Sequence, residues 1–120
     1  GFPEERALFD LLTAYNDGTP PPVVDSDDLL EDPVAMTRAF CEAVGIPFIE
    51  SALSWEPGGD PSAHSWWDGG SFHQLLSKSD GLKPQPRRYV DLADTPERVR
   101  RVHRRMKPHY EHMHRYRLRA

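Results

Sequence analysis

One stretch of this chain reads as a β-strand. It is Val23-Val24-Asp25, entered from Pro20-Pro21-Pro22 and left through the polar run Ser26-Asp27-Asp28. A strand cannot stand alone, because its backbone N–H and C=O groups need partners. The rest of the sequence offers helices and irregular connectors, with 12 prolines among 120 residues. A free-standing α/β domain is therefore excluded, since a βαβ unit needs at least two strands. Three arrangements remain for residues 22–25: irregular extended chain, pairing across a dimer, or the edge of a sheet whose other strands belong to a larger protein.

The helices are legible from their periods and stop signals. Pro3 suits a first turn, with Glu4 and Glu5 at the positive end of the helix dipole. Ala7, Leu8, Leu11, Leu12 and Tyr15 recur at helical spacing and are expected to form the buried face, with Gly18 as a left-handed stop. Asp27 or Asp28 is expected to cap a short turn around Leu29-Leu30. Asp32 and Pro33 open a second long helix with Met36, Phe40, Ala43 and Val44 as its stripe, closed by Gly45 and Pro47. A helical turn is expected near residues 51–53. Residues 54–70 form a loop holding two glycine pairs and all three tryptophans. Ser71 opens a short helix with Phe72, Leu75 and Leu76 inward. A last basic helix spans residues 95–118, kinked at Pro108, with a stripe of Val99, Val102, Met106, Tyr110, Met113 and Tyr116. The expectation is a single, mainly α domain over residues 1–120, with one or very few short strands.

Charge is segregated. Residues 1–80 carry 15 acidic and 3 basic side chains, and residues 81–120 carry 4 acidic and 12 basic, so that −12 and +8 give the overall −4. The basic end is expected to lie against the acidic body. Arg98, Arg100, Arg101, Arg104, Arg105 and Lys107 form the solvent face of the last helix. Nucleic acid is not the expected partner, because interleaved aromatics and a binding motif are missing. The single cysteine, Cys41, rules out an internal disulfide and reads as a packed thiol. No apolar run reaches the roughly 18 residues of a membrane span, and no signal-peptide pattern opens the chain, so a cytoplasmic location is expected. The start Gly1-Phe2-Pro3 is what an excised segment or a tag remnant would leave. His109, His112 and His114 are expected to be surface histidines, since no carboxylate or cysteine completes a zinc set. Asp25, Asp27 and Asp28 are explained by capping. No metal site is expected.

The run from Pro22 to Gly58 resembles the C-terminal half of sulfotransferase-like P-loop proteins of bacteria and fungi. The matching pieces are Val23-Val24-Asp25, the step "DDLLEDP" over 27–33, "CEAVGIPF" over 41–48 and "LSWEPG" over 53–58. Trp66-Trp67 and Ser79-Asp80-Gly81-Leu82 look like counterparts of a later aromatic segment and a Ser-Thr-Gly-aromatic step, with Asp80 where the family has a hydroxyl residue. The resemblance implies the C-terminal portion of a P-loop-type parallel sheet flanked by helices. It implies sulfuryl transfer from 3′-phosphoadenosine-5′-phosphosulfate to an alcohol or amine in the complete protein. The donor is held there on a glycine-rich loop at a helix N-terminus. Gly58-Gly59 and Gly69-Gly70 are not followed by the required Lys and Ser/Thr, so this chain lacks that loop.

On this reading the expected partner is the missing N-terminal P-loop half, or a dimer partner pairing residues 22–25, with a small-molecule acceptor. Ser79, Lys83, Arg87 and Arg88 are the candidates for cofactor phosphate, by position after the serine step and because arginine pairs phosphate bidentately. Trp66, Trp67 and His73 are the candidates for the acceptor side. Trp55 reads with the other tryptophans as core or lid. A helical module that binds a partner or itself through the Val23-Val24 edge is the alternative.

Overall fold

The computed structural model describes residues 1–58 and 78–120. They form four α-helices: α1 (Phe2–Tyr15), α2 (Ser26–Glu31), α3 (Pro33–Val44) and α4 (Glu97–His114). Short 3₁₀ turns lie at Glu50–Leu53 and Leu92–Asp94. The chain is mainly helical, as its sequence implies. The expected helix beginning at Ser71 falls outside the described residues.

The lone strand finds its neighbour within the chain. Val23 makes an isolated parallel bridge with Arg117, and the Leu118 N–H donates to the Val23 carbonyl at 2.8 Å. Residues 23–25 are thus one bridged residue rather than a strand. The last helix stops at His114, short of residue 118, because Arg117-Leu118 extend to make this pair. A second isolated bridge, antiparallel, joins Ser54 to Gly81.

The stop and start signals act as the sequence indicates at most ends. Gly18 and Gly45 take left-handed φ values of 86° and 72°. The Asp32 side chain caps α3 by accepting from the Ala35 N–H at 3.0 Å. The cap of α2 differs from expectation. It is Asp25, which accepts from the Asp27 and Asp28 N–H groups. Asp27 and Asp28 lie inside the first turn, where their charges favour the helix dipole.

The buried face of α1 is the larger correction. Its apolar row points outward, with Leu8 56%, Leu11 65% and Tyr15 84% exposed. The face turned inward carries Phe2, Arg6, Phe9 and Thr13, and Phe9 is buried. The cause lies on α4, which offers rings. Phe9 packs against Tyr116 and His112 with centroids 5.3 and 5.8 Å away, and Phe2 meets Tyr110 edge-on at 5.8 Å. Phe2 and Phe9 are two turns apart, so both fall on one side, and aromatic pairs favour these tilted geometries. The Asp10 carboxylate, 3.0 Å from His112 Nε2, closes the contact.

On α3, Met36 and Cys41 are buried and Phe40 is half-buried, whereas Ala43 and Val44 are exposed. Among the described residues the buried apolar side chains are few: Phe9, Met36 and Cys41, with Pro33 fully enclosed. Cys41 is a packed thiol, as expected. No helix among the described residues is long and apolar enough to cross a membrane.

Candidate functional site

Two of the family-like stretches, far apart in sequence, lie side by side. The Leu82 N–H donates to the Leu53 carbonyl at 2.8 Å, and the Trp55 N–H donates to the Asp80 carbonyl at 3.1 Å. The Trp55 indole Nε1–H also donates to the Ser79 hydroxyl at 3.2 Å. "LSW" and "SDGL" therefore form one short antiparallel edge. Trp55 is not core, since it stays 43% exposed.

Glycine is required at the centre of this edge. Gly81 has φ +154°, and a Cβ there would lie 2.6 Å from the Leu53 carbonyl oxygen. Neither atom is the free end of a flexible side chain, so the two backbones would have to separate. Gly81→Ala is expected to cost about 1–3 kcal/mol in local stability. In hydrogen exchange the Trp55 and Leu82 amides should exchange faster while the amides of α3 do not. Unchanged protection of both would show that the close approach is not constraining.

Beside this edge lies an open groove of about 530 Å³, lined by Val34, Glu50, Leu53, Gly81, Leu82 and Lys83 among others. Val34 comes from the first turn of α3 and Glu50 from the first 3₁₀ turn. Lys83 lines this groove, and Ser79 lies on the adjoining edge against Trp55. Lys83 Nζ donates to Asp80 Oδ2 at 2.6 Å, and the ammonium holds the Asp80 carboxyl below its usual range.

Arg87 sits apart from the groove, in a different setting. The Gln85 N–H donates to the Leu30 carbonyl, which ties the connector to α2. Arg87 then reaches Asp28 Oδ1 at 2.7 Å and Glu31 Oε2 at 2.6 Å. Arg88 is exposed and makes no ion pair among the described residues. Trp66, Trp67 and His73 lie outside the described residues, as does most of the loop 54–70.

The polar hub at the N-terminus of α2 leaves little trace in the sequence. Asp25 is buried, and it accepts from the Tyr110 hydroxyl at 2.7 Å besides capping the helix. Burial first, and the Asp25 hydrogen bond next, push the Tyr110 phenol up to about 12, so it remains a donor. His114 stacks on Tyr110 and lies 3.8 Å from Asp25. Asp28 accepts from Arg117 Nε at 2.7 Å. The Arg117 hydrogen bond, with Arg87 behind it, holds the Asp28 carboxyl low against the opposing effect of burial. Its signal in the sequence is the acidic run "DSDD", which capping alone also accounts for.

This hub also corrects the reading of the histidines. His112 and His114 are half-buried packing and hydrogen-bonding groups rather than surface decoration, and the enclosed His109 Nδ1 has no hydrogen-bond partner among the described residues. Among the described residues no group of three or more His, Cys, Asp or Glu could hold a metal ion. The basic end does meet the acidic body, through Arg87 and Arg117. Arg100, Arg104 and Lys107 instead pair with Glu97 and Glu111 on their own helix.

The chain belongs to the sulfotransferase domain family, whose model matches residues 4–107. It is similar to two proteins of Arabidopsis thaliana. One is the branched-chain-amino-acid aminotransferase-like protein 2, 37% identical over 91 residues, or 71% of this chain and 15% of the relative. The other is the branched-chain-amino-acid aminotransferase-like protein 1, 33% identical over 115 residues, or 90% of this chain and 20% of the relative. The chain thus spans a fifth or less of the length of these relatives. No solved structure matches it.

Proposed function

We propose that this chain is the C-terminal, mostly helical portion of a P-loop sulfotransferase-like domain, and that it does not transfer a sulfuryl group alone. The observation that carries this is the joining of "LSW" to "SDGL" by backbone hydrogen bonds, in a chain that belongs to the sulfotransferase domain family. The parallel bridge of Val23 with Arg117 adds support. Parallel pairs occur in sheets covered on both faces, and a single bridged pair is too small to stand by itself.

In the complete protein 3′-phosphoadenosine-5′-phosphosulfate would supply the sulfuryl group for an alcohol or amine. The residues described here do not by themselves form a phosphate site. Lys83 is balanced by Asp80, and Arg87 by Asp28 and Glu31. A dianionic phosphate would face at least as many carboxylates as cations, and desolvating it there would not be repaid. The glycine-rich loop of the missing half would hold it, with Ser79, Lys83 and Arg88 as secondary contacts. Trp66, Trp67 and His73 remain the proposed acceptor side.

Calorimetric titration with adenosine 3′,5′-bisphosphate tests this. The chain as it stands is expected to show no saturable binding. Asp80→Thr restores the hydroxyl of the family pattern and releases Lys83. It should produce measurable one-to-one binding that Lys83→Ala removes. Tight binding by the unaltered chain, or donor-dependent sulfation by it, would overturn the need for another half. No gain in Asp80→Thr would remove Ser79 and Lys83 from the cofactor site.

A further inference from the structure

Two surfaces are left without a partner among the described residues, and they match each other. The first is the outer face of α1. Leu8, Leu11 and Tyr15 form a solvent-exposed row of about 10 Å at 1.5 Å per residue. Leu12 flanks it and is 37% exposed. Glu5 in the first turn and Asp17 just past the last are exposed and make no ion pair among the described residues.

The second is the first half of α4. Among the described residues α1 packs on the other end of that helix, where Tyr110 and His112 lie with Tyr116 just beyond, and its Glu4 faces Arg105. Val99 and Val102 are left 42% and 56% exposed. With the half-buried Met106 they form a row of about 10 Å as well. The two flanks of this row differ in a way the sequence does not show. Arg100, Arg104 and Lys107 are neutralised by Glu97 and Glu111. Arg98, Arg101 and Arg105, at i, i+3 and i+7, make no ion pair among the described residues. One side of α4 is thus largely self-balanced; on the other, Arg105 faces Glu4 of α1, and Arg98 and Arg101 are left as bare cations beside exposed valine.

A partner for the outer face of α1 must bring apolar groups edged with positive charge. A partner for the first half of α4 must bring apolar groups edged with negative charge. Each face is what the other needs, and a single chain carries both. We propose that two copies of this chain associate reciprocally, the outer face of α1 in each copy seated on the first half of α4 in the other. The reciprocal arrangement closes on itself, as two-fold interfaces do, and each dimer would contain the helix-on-helix contact twice. Opposite charge at the rim sets orientation and makes the association sensitive to salt. The inference does not depend on the sulfotransferase reading, because neither face includes the groove or the Ser79-to-Leu82 step.

Sedimentation velocity of the purified chain over a range of concentrations tests it. A reversible monomer–dimer equilibrium is expected, about tenfold weaker at ~0.5 M than at ~0.05 M salt. Leu11→Glu should leave a monomer with unchanged helical circular dichroism, since the side chain it replaces touches solvent. Leu8→Glu serves as a second probe should Leu11→Glu lose helix. Arg98→Glu with Arg101→Glu should weaken the dimer about tenfold or more. A monomer at all concentrations would overturn the proposal and assign both faces to a different polypeptide. A dimer that Leu11→Glu abolishes but the arginine substitutions leave intact would overturn the pairing with α4. Growth beyond a dimer would overturn its reciprocity.

Discussion

Phe9→Ala should release α1 from the rest of the molecule. Phe9 is 6% exposed and is the side chain through which α1 reaches the buried interior, against Tyr116 and His112. Truncating a buried phenylalanine costs about 3–5 kcal/mol, from lost transfer and from the cavity left behind. A domain of this size has only about 5–15 kcal/mol in total. With few other buried apolar groups among the described residues, there is little to compensate. Urea denaturation followed by circular dichroism should show a lower midpoint and an early loss of helical signal from α1. Leu11→Ala, on the opposite side of the same helix, should change stability by no more than about 0.5 kcal/mol. Equal effects at the two positions would mean that the inward and outward faces of α1 have been assigned the wrong way round.

The second large effect is expected at Asp25. Its carboxylate accepts from two backbone N–H groups at the start of α2 and from the Tyr110 hydroxyl of α4. Asp25→Ala removes an N-cap, worth about 1 kcal/mol. It also strands the part-buried Tyr110 hydroxyl, for about 1–3 kcal/mol more. A total loss of roughly 2–4 kcal/mol follows. Asp25→Asn keeps one oxygen to accept from the Asp27 and Asp28 N–H groups and puts an amide NH2 where the other oxygen stood, which can donate to the Tyr110 oxygen, so it should recover most of that loss. Tyr110→Phe should cost about 1–3 kcal/mol, because the buried Asp25 Oδ2 loses its donor while the cap is kept. Thermal unfolding of the three variants decides this. If Asp25→Asn falls as far as Asp25→Ala, the negative charge, and its approach to His114, matters more than the hydrogen bonds.

The candidate site was partly visible beforehand. "LSWEPG" and "SDGL" could be picked out as stretches, and so could Ser79 and Lys83 beside them. That the two stretches share one edge could not be read. It depends on Gly81 coming within van der Waals contact of the residue 53 carbonyl, a meeting of segments 28 positions apart. Arg87 shows the converse. Its position suggested a free cation, yet the chain folds it onto Asp28 and Glu31. A local reading of charge cannot see a carboxylate 56 residues away.

By itself the sequence determined where α3 starts and stops and where the chain turns after α1. Asp32 and Pro33 start α3, Gly45 ends it, and Gly18 turns the chain after α1, because caps, prolines and left-handed glycines act within a few residues. Tertiary structure decided which faces turn inward and what the extended residues pair with. α1 carries two rows that could be buried, and leucine periodicity favours the wrong one. The rings on and just after α4 select the other, since among the described residues they pack on Phe2 and Phe9. Val23 has no partner in its own neighbourhood, and its backbone oxygen is satisfied by Leu118 only once α4 has carried the chain back to it.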